Sequence, residues 1–144
     1  MRREGGFSLI ELAVVLVVVA LILATGLPRF GRLLDWIATD AAARDVTTAF
    51  AVSRAEAVMQ ATRSRVVIGA DSLRIDRWEG DSWAPYLRWP GPASRGVTLQ
   101  VSNPEVVFSP LGMGWGASNT KVVLQRGSQI ETITTSRVGR VKRW

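Results

Sequence analysis

The sequence predicts an α+β protein: one long N-terminal helix, membrane-spanning in its lower part, packed by its upper part on an antiparallel β-sheet head. Three observations carry this. From Phe7 to Leu27 the chain is almost uncharged, with Glu11 as the one ionisable side chain. Beyond Pro28, apolar residues recur at helical spacing as far as Ala57. Beyond Arg63 the pattern changes to strand-like alternation punctuated by glycine and proline. The expected layout is a leader over 1–6, a transmembrane helix over 7–27, its continuation over 28–61 and a β-rich head over 62–144.

The leader, Arg2-Arg3-Glu4-Gly5-Gly6, is short and basic. A secretory signal peptide places its cut site beyond its apolar stretch. Here the plausible cut, between Gly6 and Phe7, comes before that stretch, so the apolar helix is retained. At about 1.5 Å per residue it spans roughly 31 Å, the thickness of a bilayer core. Val14, Val15, Val17, Val18, Val19 and Ile22, with the leucines between them, leave no polar face, which excludes an amphipathic surface helix.

Glu11 is the anomaly of this segment. A carboxylate inside the membrane costs about 2.5–3.5 kcal/mol and is usually paired or functional. One reading places Glu11 near the interface, where it snorkels and does nothing. The other pairs it with the amine that cleavage would create at Phe7. Helix geometry makes that pairing awkward within one chain. Between staggered neighbouring subunits it satisfies both charges and orders their assembly.

After Pro28, Phe30, Leu33, Leu34, Ile37 and Ala41 form one apolar stripe. Val46, Ala49, Phe50, Ser53 and Ala57 form a second, rotated by well over a right angle from the first. A stripe against one partner would stay in register. The rotation therefore implies a helix whose upper part packs on its own head while the part near the membrane meets other subunits. Pro28 permits a kinked continuation or a break into two helices.

The head reads as short strands around Val66-Val67-Ile68, Leu73/Ile75, Tyr86-Leu87, Val97/Leu99/Val101, Val106-Val107-Phe108, Val122-Val123-Leu124 and Ile130/Ile133. Turn-sized gaps between successive strands suggest antiparallel sheets packed on the upper helix.

Composition removes whole classes of function. With no histidine, His-based triads and His-ligated zinc are excluded, and no motif supports a Ser–Lys dyad on Lys121 or Lys142. We expect no enzyme, no metal and no cofactor. With no cysteine, the head holds together without disulfides. The net charge is +6. Arg29 and Arg32 flank the far end of the apolar helix as Arg2 and Arg3 flank the near end, so charge alone leaves the orientation open.

The run Gly6-Phe7-Ser8-Leu9-Ile10-Glu11-Leu12, followed by a long apolar helix, resembles the class III signal of type IV pilins and type II secretion pseudopilins. The resemblance implies cleavage after Gly6 by prepilin peptidase, N-methylation of Phe7 and a role for Glu11 in subunit assembly. It also implies a single-pass inner-membrane precursor with its head in the periplasm or outside. Phe108-Ser109-Pro110-Leu111-Gly112, Val122-Val123-Leu124 and Ser136-Arg137-Val138-Gly139-Arg140-Val141, in that order, resemble the GspH/FimT group of minor pseudopilins. That implies a two-sheet head ending in a G-R-V strand. The group's usual cysteines are missing here.

After Glu131 the side chains include no acid, whereas Arg137, Arg140, Lys142 and Arg143 precede Trp144. Cations beside an aromatic ring suit nucleic acid, neutralising phosphate and stacking a base. Gly139-Arg140-Val141-Lys142-Arg143 resembles the basic C-terminus of DNA-binding FimT-like minor pilins, with lysine where a second arginine is expected. The other reading is a solvated basic edge strand kept from aggregating by its charge.

Gly112-Met113-Gly114-Trp115-Gly116 reads as a flexible surface loop, since no strand–helix unit follows it. Asp71, Asp76, Glu79 and Asp81 lack calcium-loop spacing and are expected to pair with Arg74 and Arg77 or to be solvated. Trp78, Trp83 and Trp89 are core or rim candidates, and Trp36 a membrane-interface anchor.

The function expected from these readings is a minor pseudopilin of a type II secretion system. Its partners would be other pilin-type subunits, prepilin peptidase and the assembly platform. One alternative is a FimT-like type IV pilus minor pilin that binds DNA for uptake. Another is a membrane-tethered binding protein that never polymerises.

Overall fold

The computed structural model describes residues 8–144, without the side chains of Leu27 and Pro28. Gly6 and Phe7, the expected processing site, lie outside the described residues. Helix α1 is a single helix, Leu9–Met59, and runs through position 28. Ser8 opens it: the Ile10 N–H donates to Ser8 Oγ at 3.3 Å and the Leu12 N–H to the Ser8 carbonyl at 3.1 Å. Glu11 falls in the first turn, where a carboxylate faces unpaired backbone N–H groups.

The helix ends at Met59 in a Schellman turn. The Thr62 N–H reaches the Ala57 carbonyl at 3.2 Å and the Ala61 N–H reaches that of Val58 at 3.3 Å. Ala61 takes the left-handed position, φ 49°, that glycine ordinarily fills.

The chain divides into two compact units, one ending at Leu34 and one running from Asp35 to Trp144. In the first, the large apolar side chains Leu9, Ile10, Leu12, Val14–Val19 and Leu21–Leu23 are all exposed, and so are Phe30, Leu33 and Leu34. In the second, the helix turns Val46, Ala49, Phe50, Ser53 and Ala57 inward, all fully buried. The second sequence stripe is thus the core-facing one, as the rotation implied.

Eight strands follow: β1 Ser64–Ile68, β2 Ser72–Glu79, β3 Ser82–Pro90, β4 Thr98–Val101, β5 Glu105–Phe108, β6 Thr120–Arg126, β7 Gln129–Thr135 and β8 Val141–Arg143. A short 3-10 helix, Pro92–Arg95, lies between β3 and β4. The strands form two antiparallel sheets, ordered β3-β2-β1-β5 and β4-β6-β7-β8. The chain leaves the first sheet for β4, returns for β5, and leaves again for β6.

Alternation decides what each sheet buries. Val66, Ile68, Leu73, Ile75, Val106 and Phe108 from the first sheet join Val122, Leu124 and Ile133 from the second in one cluster with the buried helix residues. A polar link crosses this core: Ser53 and Ser64 share a hydrogen bond of 2.8 Å, and Ser64 Oγ also donates to the Asp76 carbonyl.

The acidic group over 71–81 pairs with Arg74 and Arg77 as expected and gains a further partner: buried Asp76 meets Arg65 as well as Arg74, because register places Arg65 opposite Asp76. Glu79 does pair with Arg77, which also reaches Glu56 on α1 at 2.8 Å. The loop over 112–116 is pinned, not loose. The Gly114 N–H donates to the Arg137 carbonyl and the Trp115 N–H to that of Val107, each at 2.8 Å. The Arg63 guanidinium lies between the rings of Trp78 and Trp115, 4.4 and 5.6 Å from their centroids. Trp78, Trp83 and Trp89 are half-buried rim residues, and Trp36 is exposed.

Candidate functional site

The basic tail is shaped by the turn that precedes β8. The Ser136 N–H donates to the Arg140 carbonyl at 3.0 Å and the Gly139 N–H to the Ser136 carbonyl at 2.9 Å. Gly139 has φ 74°, and a Cβ added there would lie 2.5 Å from the Gly112 carbonyl oxygen, so this turn requires glycine. The chain then runs back along β7, with Thr135 opposite Val141, Thr134 opposite Lys142 and Ile133 opposite Arg143.

Strand parity now sorts the cations. Arg140 and Lys142 share the outer face of the sheet, where they line a shallow hollow of about 200 Å³ with Thr134 and Ser136. Lys142 Nζ sits 3.3 Å from the centroid of the Trp144 ring. Val141 and Arg143 point the other way, toward α1. Val141 packs against the core.

Arg143 binds Glu131 through two bonds, Nε to Oε2 at 2.9 Å and Nη2 to Oε1 at 2.8 Å, and also pairs with Asp40 on α1. The hydrogen bonds that Arg143 donates to Glu131 and then to Asp40 raise its pKa above the ordinary arginine value. In return, the hydrogen bond from Arg143, with a lesser one from Arg44, holds Asp40 below the usual carboxylate range against the opposing effect of burial.

The contiguous run Arg140-Val141-Lys142-Arg143 is therefore not a contiguous patch. Arg143 is engaged in structure. Arg137, Arg140 and Lys142 are exposed and form no ion pair among the described residues. A period of two along β8 was the signal that could have separated them.

The other candidate region is the lower helix. Glu11 stands there among exposed Leu9, Ile10, Leu12 and Val14 on a segment long and apolar enough to cross a membrane. A family model described as the prokaryotic N-terminal methylation motif matches residues 1–27. The minor pilin FimU of Pseudomonas aeruginosa (strain PAO1) matches in structure with a TM-score of 0.62 over 72% of this chain and 86% of that one. The chain has a pilin-like fold.

The minor pseudopilin EpsH, from the type 2 secretion system of Vibrio cholerae, matches this pilin-like chain with a TM-score of 0.55 over 74% of this chain and 95% of that one. Sequence identity is 16% to FimU and 12% to EpsH, so what is shared is the architecture. No curated protein matches the sequence. The motif agrees with the class III signal read from residues 6–12, and the two neighbours share the long-helix, two-sheet architecture expected of the chain.

Proposed function

We propose that this pilin-like chain is a minor pseudopilin of a type II secretion system. In this reading prepilin peptidase cuts between Gly6 and Phe7, and the new amine of Phe7 is methylated. The precursor sits in the inner membrane as a single-pass protein with its head in the periplasm or outside. The assembly platform then builds it into a short pilus-like fibre through its N-terminal helix, and the work comes from a cytoplasmic ATPase.

The observation that carries the proposal is the lower half of α1. It presents apolar side chains all round and one carboxylate, Glu11, in its first turn. Such a surface is stable in lipid or among similar helices, and a lone carboxylate there calls for a cation. The Phe7 amine of a neighbouring subunit supplies one. The test is Glu11→Ala in the full-length chain. Recovery of the variant in sheared fibres should fall steeply and secretion with it, while the membrane-inserted pool and the folded head remain. Unchanged secretion would refute every filament reading and favour a tethered protein that never polymerises.

A second reading is a FimT-like minor pilin that binds DNA for uptake. It is favoured by Arg137, Arg140 and Lys142, exposed and without ion pairs among the described residues, with Lys142 over the Trp144 ring.

A further inference from the structure

Beside β8 the second sheet ends in an open edge, and a groove of about 820 Å³ runs along it. One wall is the outer surface of α1, with Ala51, Ala55, Val58 and Met59 beside Arg54; the other is Gly139 to Val141 and Arg143, and Arg54 donates to the Gly139 carbonyl at 3.4 Å. The groove lies wholly within the unit from Asp35 to Trp144.

The hydrogen bonds of β8 define what this edge offers. Arg140 and Trp144 bond through their backbones to Ser136 and Thr132. Antiparallel pairing alternates, so Lys142 also points its backbone groups at β7, while Val141 and Arg143 point theirs outward. Each outward residue presents one N–H and one C=O to the groove. These groups fit an added strand.

Side chains specify the occupant further. A strand laid beside β8 would turn alternate residues toward Ala51, Ala55, Val58 and Val141, an apolar surface bordered by Arg54 and by Arg143, which Glu131 and Asp40 already hold. Its remaining residues would stand on the outer face beside Arg140 and Lys142, which have no acidic partner among the described residues. Opposite charges at such cross-strand positions attract and like charges repel. The edge of a second β8 is thereby disfavoured, since it would set Arg140 and Lys142 against their own copies. A phosphate backbone could use those cations but would leave the apolar wall and the paired backbone groups unused.

We propose that β8 and this groove accept an extended segment of a partner protein, alternating apolar and acidic residues, as a ninth strand of the head. The inference stands apart from the choice between secretion and DNA uptake, because it rests on the edge and the groove alone.

The test uses the full-length, isotope-labelled chain in detergent micelles. The probes are a capped peptide of alternating valine and glutamate and its counterpart with lysine for glutamate. The glutamate peptide should bind saturably, at least about tenfold more tightly than the lysine peptide, since two cross-strand pairs change sign. It should slow amide exchange at Val141 and Arg143, with little change at Lys142, whose N–H is already bonded. Arg140→Gln combined with Lys142→Gln should abolish the preference for glutamate while leaving the chain folded. Equal binding of the two peptides, or unchanged exchange at Val141 and Arg143, would overturn the proposal. So would a single-stranded oligonucleotide that protects those two amides when the glutamate peptide does not; nucleic acid would then be the occupant of this edge.

Discussion

Arg143 on β8 and Asp40 on α1 form an ion pair across 103 positions of sequence, tying the edge of the second sheet to the helix. Glu131 holds the same guanidinium from β7, so three elements meet on one side chain. Arg143→Gln should lower head stability by about 1 kcal/mol, a melting shift of a few degrees.

The pH dependence of that loss has a definite sign. Asp40 has a folded pKa below its ordinary value of 3.8, so its contribution is present above that value and vanishes as pH falls through the lowered one. The difference in melting temperature between the parent and Arg143→Gln should therefore be level near neutral pH and close on acidification below 3.8. A gap that persists at the acid end would mean the pair is not its source.

Ala61 occupies a left-handed position at φ 49° at the end of α1. An L residue there is strained by about 1–2 kcal/mol, and glycine recovers this less about 0.4–1 kcal/mol of added unfolded-state entropy. Ala61→Gly should raise the denaturation midpoint, by about 0.5–1 kcal/mol net. A lower midpoint would contradict a left-handed Ala61.

Phe50 is completely buried where α1 faces the sheets. Phe50→Ala should cost about 3–5 kcal/mol, a large share of the stability of a domain this size. Urea titration of the variant would show the loss directly, and a midpoint within experimental error of the parent would refute the packing.

The DNA-binding reading predicts a division along strand parity. Lys142→Gln and Arg140→Gln should each reduce the salt dependence of affinity by about one counterion. Arg143→Gln should change it far less, because its charge is already matched by Glu131 and Asp40. Equal effects of all three in a salt-series titration would argue against this division.

Maturation is testable at the leader. Replacing Gly6 with a bulky residue, Gly6→Val, should leave the precursor uncut and Phe7 unmethylated. Intact mass of the membrane fraction distinguishes precursor from product, and normal processing of the variant would place the cut elsewhere.

Much of the fold was legible because burial imposes a period. Val66 and Ile68, Leu73 and Ile75, and Val122 and Leu124 stand two apart and face the core, while Val67, Arg74 and Val123 between them are less buried. The rotated stripe from Val46 to Ala57 likewise marked the helix face that meets the sheets. Contacts between distant segments left no such trace. Nothing near Arg143 announces Asp40 or Glu131, and nothing near Asp76 announces Arg65, since both follow from strand register. Tyr86 and Leu87 are apolar yet exposed, because β3 is an edge strand. Ala61 gave no sign of a left-handed turn, for the residue type that usually marks one is absent. The Gly112–Gly116 segment looked loose because its anchors, Val107 and Arg137, are reached only after folding.

Because β4 and β5 trade places between the sheets, neither sheet can be completed from one uninterrupted stretch of chain. Detaching either would drag out a strand whose neighbours in sequence belong to the other. Pulled from its two ends, such a head has no weaker half to surrender first, and calorimetry should find one melting transition. Under load, a head built this way holds intact or gives way entirely.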